Sequence, residues 1–174
     1  MALIVEDGSG LTNADAYVSF EDADTYFTNR QGSTAWNDGS VTDLQKEAAI
    51  RNATAYLDRR YNNLWMGRRV ERLQSLSFPR VDVRDFDGFA IGSDSVPQQV
   101  IDACCEGAVL ALSEDLLPDL ANTGIVSEET VGVGSVRATT KYEGGKSQTK
   151  SYRKIETLLR GLVKNTGTIQ LERA

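Results

Sequence analysis

Histidine is missing from this sequence altogether, which removes the commonest catalytic base and the commonest metal ligand. Cysteine is almost as scarce. The two residues, Cys104 and Cys105, are adjacent, a spacing that strains a mutual disulfide, and they fall within a helical pattern, so free buried thiols are expected. No apolar run approaches the ~20 residues that a membrane span requires, and Glu6 and Asp7 stand where a signal peptide would carry its basic region. A chain of the cytosol, with no membrane association, is the expectation. Positive charge is also short: 19 Lys and Arg face 25 Asp and Glu, for a net charge of -6 and an isoelectric point near 4.8. Such a field repels nucleic acid unless the basic residues gather on one face. The apolar share of 40% is low for a compact globule, which points to arms or loops that become ordered on a partner. With 174 residues the chain is long enough for one domain with a real core.

What is present reads mainly as helix. Ser19 with Asp22 starts a first helix that carries Phe20, Ala23, Tyr26 and Phe27 and ends between Asn29 and Gly32. Thr42 and Gln45 form a capping box for a second, whose stripe is Leu44, Ala48, Ala49, Ala53, Tyr56, Leu57 and Tyr61. An irregular strap follows to Arg80, and Pro79 keeps Phe78 out of helical geometry. It returns Trp65, Leu76 and Phe78 to the second helix. Ser95 and Gln98 predict another capping box, with Pro97 in the first turn and Pro118 closing the helix near Leu117. Alternation from Thr130 to Tyr142 predicts a β-arm turned at 143–146. A last helix begins after Ser151 and Tyr152, has Ile155, Leu158, Leu159, Leu162 and Val163 as its apolar face, and ends at Gly167. Its tail, Thr168 to Arg173, is too short to pair with itself. The fold class is therefore mainly α: a small helical bundle with a β-arm and an extended C-terminal tail. Within one domain overall, residues 1–118 make the helical core and N-terminal arm, 119–150 a linker and the β-arm, and 151–174 the final helix and tail.

Candidate chemistry is sparse. Ser113, beside Glu114 and Asp115, has no base; Asp22 and Asp24 lie on a helix surface; Cys104 has no basic neighbour to make it a thiolate. Asp82, Asp85, Asp87 and Asp94 lack the spacing and the closing Glu of a calcium loop. Gly132-x-Gly134 lacks the third glycine and the Lys-Ser/Thr of a phosphate loop. No enzyme, no cofactor and no metal are expected. Arg68, Arg69 and Arg72 with Trp65 close by are different, since guanidinium groups and an indole can grip phosphate and stack on bases. Charges on an exposed turn, or ion pairs to a neighbour's acids, explain the same cluster more simply. Trp36 in its polar loop either folds onto the core or is offered to a neighbouring subunit, and Phe86 and Phe89 are further candidate anchors.

Gly8-Ser9-Gly10 with Ala14-Asp15-Ala16-Tyr17-Val18, Ala23-Asp24, Tyr26, Trp36, Ala55-Tyr56-Leu57-Asp58, Trp65-Met66-Gly67, Gln74-x-Leu76-x-Phe78-Pro79-Arg80, Asp87-Gly88 and Val96-Pro97 resemble the head-tail connector (adaptor) proteins of tailed phages, often labelled DnaT-like single-stranded DNA-binding proteins. The likeness is ordered over residues 8–112, and Phe78 stands where that family tends to have tryptophan. The resemblance implies a helical subunit of the virion neck, assembled in the host cytoplasm as a homo-oligomeric ring, commonly of twelve. It would sit beneath the portal protein, bind tail or head-completion proteins, and let DNA only pass through its channel. It implies that Trp65, Gln74, Leu76, Phe78 and Pro79 are scaffold. Gly167, Thr168, Ile169, Gln170, Leu171, Glu172 and Arg173 are the candidate portal-docking segment; Trp36, Arg68, Arg69, Phe86 and Phe89 are candidates for the subunit interface. The alternative is a single-stranded DNA-binding accessory protein that uses Arg68, Arg69, Arg72 and Trp65.

Overall fold

The computed structural model describes residues 2–30, 33–85, 87–118, 128–133, 136–141 and 150–164. Four helices and two short antiparallel ribbons follow one another as α1 (Phe20–Asn29), α2 (Asp43–Arg60), β1 (Arg68–Arg69), β2 (Arg80–Val81), α3 (Gln98–Ala111), β3 (Glu128–Val133), β4 (Val136–Lys141) and α4 (Arg153–Leu158). The chain divides into two compact units, 117–151 and the remainder. The smaller is the β3–β4 ribbon, in which Val133 pairs with Val136, so that two residues join the strands. The pairing places two strands within the stretch read as a single arm, and the expected turn at 143–146 lies outside the described residues.

In the larger unit α2 packs chiefly on α3, and α3 also meets α4 and α1. Two of the three predicted N-terminal signals work as local chemistry. The Ser19 side chain accepts from the Asp22 amide, and Thr42 and Gln45 complete a reciprocal box. From α2 the residues Ala49, Ile50, Ala53, Thr54, Tyr56 and Leu57 are buried. They meet Val100, Ala103, Cys104, Cys105, Gly107 and Ala108 of α3, with Ala53 close against Gly107. Leu44, assigned to the stripe from its spacing, is 65% exposed. It sits in the first turn of α2, and the burial on that helix begins only at Ala49.

Three helix ends differ from expectation. α3 is capped by Pro97 without a side-chain hydrogen bond, since the Ser95 hydroxyl donates instead to the Gly92 carbonyl at 3.4 Å; the helix ends at Ala111, well before Pro118. α4 stops at Leu158 rather than running to Gly167. Its continuation is claimed by the strap, because the Met66 amide donates to the Leu162 carbonyl at 2.9 Å and the Lys164 amide to the Leu64 carbonyl at 2.7 Å. Leu159 and Leu162 are still buried. The N-terminal arm is not waiting for a partner. Val5 bridges to Ala16, the Glu6 amide donates to the Ala16 carbonyl, and the carboxylate of Glu6, 4% exposed, accepts from the amides of Gly8, Gly10 and Leu11 at 2.9–3.0 Å. Three amides that a tight turn would leave without partners are satisfied by one side chain.

Candidate functional site

The strap between α2 and β2 gains its shape from hydrogen bonds that its own sequence supplies. Gln74, 3% exposed, accepts from the Glu71 amide at 2.9 Å. It donates to the carbonyls of Leu76 and Pro79 at 2.9 and 3.1 Å, which closes the turn between β1 and β2. Arg80 sits behind it, 9% exposed, and donates to the carbonyls of Met66, Gly67 and Ser77 at 2.7, 2.8 and 3.1 Å. A buried guanidinium that meets carbonyls on three sides acts as a rivet, its donors spent on backbone that no sheet pairs. Burial first, and the charge of Arg69 next, pull its pKa down.

Beneath the strap Tyr17 donates to Asp58 at 2.5 Å and accepts from the amides of Ser77 and Phe78 at 3.0 and 3.2 Å; the second oxygen of Asp58 accepts from Ser77 at 2.9 Å. Burial pushes the Asp58 carboxyl above its ordinary range, while the bonds from Tyr17 and Ser77 and the charge of Arg69 pull the other way. Burial and the charge of Asp58 raise the Tyr17 phenol well above its own. The pair ties the first segment of the chain, the central helix and the strap together at one point. Sequence reading missed Tyr17, Asp58, Glu6 and Arg80 as tethers. The available signal was a charged residue amid apolar neighbours: Asp58 after Tyr56-Leu57, and Arg80 after Phe78-Pro79.

This scaffold decides what reaches the surface. Trp65 is 1% exposed, packed against Phe78 with ring centroids 5.0 Å apart and against Tyr61 at 5.5 Å. It is a core residue and cannot stack on a base, so that part of the nucleic-acid reading is corrected. Leu76, Phe78 and Pro79 are buried beside it, as the scaffold role requires. Trp36 is also interior at 0% exposure. Its indole donates to Asp24 at 2.6 Å, Lys46 meets the same oxygen at 2.7 Å, and its ring lies 5.2 Å from that of Phe27. The choice left open by its polar loop falls to the core, and Trp36 offers nothing to a neighbouring subunit.

Two surfaces remain. One is the turn from Arg69 to Leu73, where Arg69, Arg72 and Leu73 are exposed and Leu73 is 75% so. Arg68, at the opposite end of the β1–β2 ribbon, meets Asp82 at 3.3 Å, with both side chains more than 70% exposed, a pairing worth little in water. The other is the loop from Val83 to Ile91. Asp85 accepts from the amides of Asp87 and Phe89 at 3.0 and 2.8 Å, Arg84 donates to the Gly88 carbonyl at 2.7 Å, and Ile91 returns to Val83 at 3.0 Å. The loop holds its own shape and presents Phe89 at 72% exposure. Phe86 lies outside the described residues, as does the candidate docking tail from Gly167 to Arg173. Among the described residues no group of three or more His, Cys, Asp or Glu is placed to hold a metal, and no helix is long and apolar enough to cross a membrane. Both thiols are buried and free; burial raises the pKa of Cys104 to about 11 and moves that of Cys105 in the same direction.

A mainly helical unit with an internally riveted strap and two braced, exposed loops is the class these features define. A family model described as "Putative DnaT-like ssDNA binding protein" matches residues 1–174, and the chain belongs to that family. No curated protein and no solved structure gives a significant match.

Proposed function

We propose that this chain is a structural subunit that acts by assembly and performs no reaction: a head-tail connector of a tailed phage, as its sequence resemblance implies. Copies would form a ring in the virion neck, below the portal, with DNA passing through and tail or neck proteins attached. The observation that carries this reading is the way Leu73 and Phe89 are held. Both are large apolar side chains, more than 70% exposed, at the tips of loops already fixed by internal hydrogen bonds. Preformed apolar tips lose little conformational freedom on docking, which favours contacts between proteins. The net charge of -6 suits the wall of a duct that must not hold the DNA it conducts.

A second reading has the more direct support of the family description, namely binding of single-stranded DNA. Arg68, Arg69 and Arg72, all exposed within five residues, favour it. With Trp65 buried, such a contact is electrostatic only. Three phosphate contacts on a single strand give a slope of log affinity against log salt of about -2. Anisotropy of a labelled oligonucleotide across a salt series measures that slope, and Arg68→Ala with Arg69→Ala and Arg72→Ala is expected to abolish it. The connector reading predicts that electron microscopy of the protein mixed with portal rings shows an added ring. Bare portals, together with tight oligonucleotide binding of the expected salt slope, would overturn it in favour of the second.

A further inference from the structure

We infer that the chain associates with copies of itself head to tail, the Arg69–Leu73 turn of one copy seating on the Val83–Ile91 loop of the next. The inference deepens the assembly reading and rests on it. Its first support is placement. β1 and β2 are antiparallel with Arg69 opposite Arg80 and Arg68 opposite Val81. The turn carrying Leu73 therefore closes one end of this ribbon, and the loop carrying Phe89 leaves the other. A surface at each end of one rigid piece suits a repeating contact, in which each copy uses one end on each neighbour.

Its second support is complementarity. Arg69 and Arg72 precede Leu73, and Asp85 and Asp87 precede Phe89. Each end thus has one exposed apolar residue beside charges of a single prevailing sign, and the signs are opposite. Leu73 and Phe89 are also the two most exposed large apolar residues among those described, ahead of Leu44 at 65%. Turn against turn or loop against loop would bring like charges together as the apolar contact formed, a cost that opposes a two-fold pairing. Unlike ends generate a heterologous interface, which closes into a ring when the rotation per copy allows. Arg84, the one basic residue of the loop, donates to the Gly88 carbonyl. Glu71 in the turn gives its amide to Gln74, and its carboxylate leaves the turn with an excess of one positive charge.

The test uses the full chain with single cysteines at the two tips. Cys104 and Cys105 are buried and stay unreactive, while Leu73→Cys and Phe89→Cys replace exposed side chains without touching the core. A mixture of the two variants, treated with a short bismaleimide with and without portal rings, is expected to give a cross-linked pair that neither variant gives alone. Adding Asp87→Lys to the Phe89→Cys chain should abolish the product, and adding Arg72→Glu to the Leu73→Cys chain should restore it. Equal cross-linking within a single variant, or no rescue by the double exchange, would overturn the head-to-tail contact. Sedimentation of the same samples separates the two levels of the argument. Association without the mixed product sinks this contact and leaves assembly standing; a chain that stays single even beside the portal sinks both.

Discussion

Trp65→Ala is expected to destabilise the fold by about 3–5 kcal/mol, the range for deleting a fully buried tryptophan. For a chain of this size that lowers the melting temperature by about 6–20 °C. Urea titration and thermal melts followed by circular dichroism measure both. The cost comes from packing, because the indole N–H has no hydrogen-bond partner among the described residues and the ring is held by Phe78 and Tyr61. It also spreads. Trp65 bridges to Val163, so a cavity there loosens the segment after α4 as well as the strap. Trp65→Phe keeps an aromatic ring in the same slot and should recover most of the loss. The pair of variants bears on function too. A tryptophan whose task was to stack on bases would lose oligonucleotide binding at unchanged stability; a core tryptophan loses stability first, and that is the expected order here.

Trp65 was placed against the second helix from the sequence and is buried, whereas Trp36 was left open, and the difference lies in what a sequence shows directly. Helix starts such as Ser19 and Thr42 were legible, because a cap and its partner are three residues apart and their geometry is local. The burial of α2 was partly legible: Ala49, Ala53, Tyr56 and Leu57 followed from spacing, while Ile50, at 0% exposure, was missed and Leu44 and Ala48, both exposed, were wrongly included. Periodicity gives the direction of a stripe and says nothing of where along the helix the neighbouring elements lie. The ends of α3 and α4 failed for a related reason. Ser95 donates to Gly92, three residues back, instead of capping α3, and the residues after Leu158 hydrogen-bond to the strap, about 100 residues away in sequence, rather than adding a helical turn.

Much less of the candidate site could be read. Composition marked Arg68, Arg69, Arg72 and the Asp-rich loop as charged surface, and they are. It could not reveal that Arg80, four residues after Leu76, is turned inward to satisfy three carbonyls, or that Glu6 is buried beneath its own turn. Glu6 matches the local pattern of solvated charge, and Arg80 departs from it only in following the apolar Phe78-Pro79. Their partners are backbone groups left unpaired by irregular chain, and only the fold shows which groups those are. The same blindness affected Trp36, whose polar loop hid an Asp24 acceptor and a Phe27 ring.

Gly67→Ala is the second large effect, and it follows from backbone alone. Gly67 has φ of +65°, and a Cβ there would lie 2.1 Å from the Val81 carbonyl oxygen and 2.8 Å from a methyl of Val83. Left-handed strain costs about 1–3 kcal/mol and forced overpacking about another 1–3, so about 2–6 kcal/mol in total is expected by equilibrium unfolding. Gly88→Ala is the control, since φ is +89° there too but nothing lies within 4 Å of the added carbon. Strain without collision should cost only about 1–3 kcal/mol, toward the low end for an exposed loop free to relax. The difference between the variants isolates the contact between Gly67 and β2. That contact sets more than stability, because Arg80 donates to the Gly67 carbonyl while Gly67 leads directly into β1. Pushing β1 away from β2 would displace the Leu73 turn at one end of the ribbon and the Phe89 loop at the other. In chains kept below their shifted melting point, Gly67→Ala should therefore lose the cross-link between positions 73 and 89, whereas Gly39→Ala, at a glycine with no neighbour within 4 Å, should retain it. Retention of the link in a destabilised Gly67→Ala chain would mean that the two tips do not depend on the ribbon that joins them.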